Sequence, residues 1–74
     1  MNRNQKLDLT QKATNLGIKA FVSNKNSTPI NDQELMSLIN KSRTIIGNEV
    51  GSSLFIFQAW SAAWHKSNMI VLNQ

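Results

Sequence analysis

The stretch Leu54-Phe-Ile-Phe-Gln-Ala-Trp-Ser-Ala-Ala-Trp64 decides how this chain is read. It holds four of the five aromatic residues, Phe55, Phe57, Trp60 and Trp64, and no charge interrupts it. The alanines at 59, 62 and 63 favour a helix. The four apolar residues 54–57 on their own also fit a buried strand, because so short a run does not define a period. Ser52 or Ser53, just after Gly51, can cap the start of a helix. His65 and Lys66 suit the negative end of its dipole, and Ser67-Asn68 offers a break. A helix is therefore expected over 52–66. Met69-Ile-Val-Leu72 follows as an apolar tail, either helical or extended, that joins the core or an interface.

Upstream, the strongest local signals surround residues 30–35. Asn31 is a favoured N-cap type, Glu34 stands three residues later as in a capping box, and Asp32 adds negative charge to the first turn. Ile30 and Leu35 occupy the positions of a hydrophobic staple. Leu35, Leu38, Ile39, Ile45 and Ile46 keep the helical period, with Ser42 on the same face, and Gly47 is placed to end the helix in a left-handed conformation. These signals predict a helix over 32–46. A weaker stripe of Leu9, Ala13, Leu16 and Ala20 predicts a helix over 8–22, which Gly17 weakens by about 1 kcal/mol relative to alanine. Residues 1–6 lack periodicity and are expected to fray, and 23–29 form a polar loop closed by the only proline. The fold class is thus all-α: a compact three-helix unit of about 8–22, 32–46 and 52–66, one domain over 1–74, with an apolar C-terminal tail.

Length and composition limit what such a unit can be. A single core in 74 residues rarely supplies more than about 3–5 kcal/mol, so small domains lean on a staple or a partner. There is no cysteine and a single histidine, His65. Disulfides and thiolate metal sites are therefore excluded, and no metal or cofactor is expected. Self-association into an oligomer is the remaining remedy. Two short amphipathic helices can hardly cover a third that is apolar on nearly every side, and leaving apolar surface wet costs about 25 cal/mol per Å².

Catalysis finds no footing. Ser52-Ser53 follow Gly51 but lack the second glycine that would complete a nucleophile elbow, no phosphate-binding glycine loop is present, and the four acidic residues form no pair at a useful spacing. The chain is expected not to be an enzyme. Its first seven residues contain no apolar run of the kind a secretory leader needs, and a cysteine-free chain fits a cytoplasmic location.

The charge is asymmetric. Arg3, Lys6, Lys12, Lys19 and Lys25 face only Asp8 in the first 25 residues, which accounts for the whole net charge of +4. Such a segment suits phosphates. The outline of a helix-turn-helix is also present, but the positions that would meet bases, Ser53, Leu54, Phe55, Ile56, Gln58 and Ala59, carry almost no base-reading groups. Phe57, Trp60 and Trp64 instead stand at the i, i+3 and i+7 spacing of anchors that fill a groove on a partner. The expected function is a small non-enzymatic regulator or inhibitor acting by protein–protein contact and self-association, with Leu54, Phe55, Phe57, Trp60 and Trp64 as the interface. The alternative is a dimeric nucleic-acid-binding regulator that uses Arg3, Lys6, Lys12, Lys19 and Lys25 on phosphates. A peripheral membrane protein ranks third, because the apolar segment is interrupted before spanning length and the lysines sit on another helix.

Overall fold

The amino terminus is tied down rather than frayed. Asn2 Oδ1 accepts from the Gln5 backbone N–H at 2.8 Å, and Gln5 Oε1 accepts from the Asn2 N–H at 2.9 Å. This reciprocal capping box starts α1 at Arg3, six residues before the apolar period begins to show at Leu9. In the computed structural model, which describes residues 1–49 and 51–72, the chain is all-α, with no strand among the described residues. The described residues form four α-helices rather than three: α1 (Arg3–Val22), α2 (Gln33–Lys41), α3 (Arg43–Ile46) and α4 (Leu54–Leu72).

The C-terminus of α1 closes on Asn24, whose φ of +62° puts it in the left-handed region. The Lys25 N–H returns to the Ala20 carbonyl and the Asn24 N–H to that of Phe21, the two bonds of a Schellman motif. After the loop, Pro29–Asn31 form a 3₁₀ turn that moves the start of the next helix on by one residue. Asp32, not Asn31, is the N-cap of α2. Its Oδ1 accepts from the N–H groups of Glu34 (3.0 Å) and Leu35 (3.3 Å). The expected staple does not form either, since Ile30 is 65% exposed.

The expected 32–46 helix is interrupted once. Ser42, at φ −100° and ψ 8°, leaves helical geometry and separates α2 from the single turn of α3. Gly47 ends that turn with a φ of +89°, which favours glycine. Its carbonyl accepts from the Ser52 hydroxyl at 3.2 Å, drawing the next loop tight.

The break expected at Ser67-Asn68 is absent. Ser67 Oγ donates to the Ala63 carbonyl at 2.9 Å, so the hydroxyl is satisfied inside the helix and α4 runs on to Leu72. The apolar tail is therefore the last part of α4. Its Met69, Ile70 and Val71 do not join the core, each being more than half exposed.

α1 and α4 make the main packing contact and run parallel. Lys6 lies over the Phe55 ring, Gly17 meets the backbone of Trp60, and Phe21 meets Trp64. Gly17 is the crossing point. A Cβ there would collide with the Trp60 carbonyl oxygen and stand 3.0 Å from Ala63 Cβ. Leu9, Ala13 and Ala20 of α1 are buried around this crossing, with Leu35 and Ile39 from α2 and Ile56, Trp60 and Ala63 from α4. Burying a side chain such as Leu35, Ile39 or Ile56 contributes about 1.5–3 kcal/mol. The parallel register leaves the start of α1 projecting at one end and the last turns of α4 at the other, within an overall length of 41 Å.

Candidate interaction surface

The inner side of α4 is held by a polar node as well as by packing. Trp60 is fully buried, and its Nε1 donates to Asp32 Oδ2 at 2.7 Å. Asp32, only 4% exposed, thus takes the indole on one oxygen and two α2 backbone N–H groups on the other. A buried carboxylate is tolerable when its lone pairs are satisfied in this way. The same bond fixes which side of α4 faces inward. Trp60 is a core residue, so the expected triple of partner-seeking anchors at 57, 60 and 64 loses its middle member.

Trp64 is half-buried at the other end of the node. Its Nε1 donates to the Lys25 carbonyl at 3.0 Å, pinning the loop after α1. Phe21 and His65 meet its ring edge-on, with centroids 5.5 and 5.1 Å away. Phe57 is half-buried against the core. So is Phe55, with the Lys6 ammonium 5.5 Å from its centroid. Of the five residues expected at an interface, only Leu54 is largely free, at 53% exposure. The structure adds others on the same helix. Gln58, Ala62, His65 and Met69 are exposed and follow Leu54 at steps of three and four residues, forming one outward face. The 69–72 run was visible in the sequence as apolar, but nothing local showed that it continues α4.

The five cations of the first 25 residues are not gathered into one patch. Lys12 pairs with Asp8 at 2.9 Å, and Lys19 bonds both oxygens of Glu34, at 2.8 and 3.1 Å. The Glu34 hydrogen bond, reinforced by its charge, raises the Lys19 pKa above the ordinary lysine value. Lys12 and Lys19 flank a groove of about 340 Å³ floored by Leu16 and Leu38, between α1 and α2. Arg3 and Lys6 lie in the first turns of α1, whereas Lys25 lies past its end, beside a cleft of about 240 Å³ that reaches Asp32 and Trp60. The five cations are thus spread from the first turn of α1 to the loop beyond its end.

Among the described residues, no group of three or more His, Cys, Asp or Glu side chains is placed to hold a metal ion. No helix among them is long and apolar enough to cross a membrane. Comparison with protein-family models, curated proteins and solved structures found no match to this chain.

Proposed function

We propose that this chain is a non-enzymatic binding protein, a small regulator or inhibitor that works by protein–protein contact and self-association along the outward side of α4. One observation carries the reading. Along α4, whose only charged residue is Lys66, the outward face carries Leu54 at one end and Met69 at the other, each more than half exposed, and Ile70 and Val71 beside Met69 are exposed on the other sides of the last turn. Large apolar side chains left wet on a charge-poor helix mark a contact surface when they cluster. The aromatic anchors support that surface from within: Trp60 and Trp64 lock α4 to α2 and to the 25–28 loop, which keeps its outer side rigid. A rigid face binds at lower entropic cost.

Light scattering over a concentration series, on the wild type and on Met69→Glu, tests this reading. The wild-type mass should rise with concentration, and the variant should stay monomeric with an unchanged circular dichroism spectrum. Identical, strictly monomeric behaviour of both proteins would remove self-association from the reading. The charge of the amino-terminal third supports a competing reading, contact with nucleic-acid phosphates. That binding must weaken steeply with salt, so an oligonucleotide titration at two salt concentrations separates the two.

A further inference from the structure

The outward face of α4 has a pattern that matches itself when reversed. Starting from the middle, Ser61 and Ala62 are adjacent and small. Gln58 and His65 lie three residues to either side, and Leu54 and Met69 stand four residues beyond those. An apolar residue therefore occupies each end, a hydrogen-bonding side chain each intermediate position, and small side chains the centre.

We propose that two copies of this chain pair through this face, with their α4 helices antiparallel about a two-fold axis between Ser61 and Ala62. The proposal rests on the reading of α4 as a contact surface and adds the partner and the register. In a two-fold interface, residue i meets residue j while j meets i. The reversed pattern satisfies that rule three times. Leu54 packs on the second copy's Met69, the Gln58 amide hydrogen-bonds the second copy's His65 imidazole, and Ser61 abuts the second copy's Ala62. Each contact occurs twice. A parallel pairing would keep the apolar ends matched, Leu54 on Leu54 and Met69 on Met69, but it would set Gln58 against Gln58 and His65 against His65 in place of two amide–imidazole pairs.

Three further observations favour a second copy over a different partner. The face carries no charged residue, so it offers nothing to steer an acidic or basic protein. The net charge of +4 comes from residues 1–25, most of them in α1, which packs on the opposite side of α4 around Gly17. Pairing across the outer face therefore keeps the two charged segments apart. Small residues at the centre also let two helix backbones approach closely, as Gly17 does on the inner side. From Leu54 to Met69 the contact runs about 24 Å at 1.5 Å per residue. A single helix pair of that length lies near the lower limit of about 1,000 Å² for a specific interface, so association is weak and concentration-dependent.

The absence of native cysteine makes the register directly testable. Leu54→Cys and Met69→Cys are prepared separately, checked by circular dichroism, and oxidised mildly either alone or as an equimolar mixture. The expected result is a disulfide-linked dimer in the mixture at least tenfold more abundant than in either protein alone, and lost when Ala62→Arg is added to both. Efficient linkage of Leu54→Cys to itself means a parallel pairing and overturns the proposal, as does linkage no greater in the mixture than in the separate samples. If the wild-type mass still rises with concentration in that case, only the register has failed and α4 contact stands. If the mass does not rise, self-association has failed too.

Discussion

Asp32 joins two elements through one carboxylate. One oxygen caps α2 and the other takes the Trp60 indole, 28 residues away. Removing it by Asp32→Ala loses the cap, worth about 0.5–2 kcal/mol. It also leaves a buried indole N–H unpaired, which costs about 1–3 kcal/mol. Urea denaturation should therefore show a loss of about 2–4 kcal/mol, larger than the loss for Glu34→Gln at the exposed end of the same turn. Glu34 has a separate signature. Its bond to Lys19 raises the folded-state pKa of that lysine above the ordinary 10.5. A group whose pKa is raised on folding contributes stability that is fully present below its unfolded pKa. That contribution is lost as pH rises through the higher folded value. The urea midpoint of the wild type should thus fall in alkaline solution above about pH 10.5, and Glu34→Gln should show a shallower fall. The pair is exposed, so salt should flatten the difference.

At the level of elements, the decisive contact is Gly17 against the Trp60 backbone. Gly17→Ala gains about 1 kcal/mol of helix propensity in α1. It also forces a methyl group into backbone, and overpacking of that kind costs about 1–3 kcal/mol. The thermal midpoint should fall; a rise would mean that α1 and α4 leave room for a methyl group at this crossing. Read from the chain alone, Gly17 is only a weak spot in a helix, because its role belongs to a partner helix more than forty residues away. The helices themselves were largely legible, since caps, apolar period and breakers act over a few residues. Gly47 and the stripe through Leu9, Ala13 and Ala20 are such local signals. The start of α1 was legible in principle, as Asn2 and Gln5 have capping-box spacing, but the apolar period begins only at Leu9. The shift from Asn31 to Asp32 as N-cap was not legible, because Trp60 selects Asp32. Nor was the inward position of Trp60. A helix that is apolar on most sides does not show by periodicity which side is buried, and here a hydrogen bond decides it.

For the whole molecule, parallel packing of α1 and α4 separates two jobs along one apolar helix. Ile56, Trp60 and Ala63 build the core on the inner side, while Leu54, Gln58, Ala62, His65 and Met69 face outward. The charged first third lies on α1, away from that outer face. Stability and association should therefore respond to different substitutions, although neighbouring residues of the same helix carry them. Sedimentation equilibrium on the wild type, Trp60→Phe and Ala62→Arg, each first characterised by urea denaturation, tests this division most directly. Trp60→Phe should lose stability, by about 1–3 kcal/mol for the unpaired Asp32 oxygen, and still associate like the wild type while folded. Ala62→Arg should keep wild-type stability and sediment as a monomer at every concentration. Association abolished by Trp60→Phe in the folded state but untouched by Ala62→Arg would contradict the account.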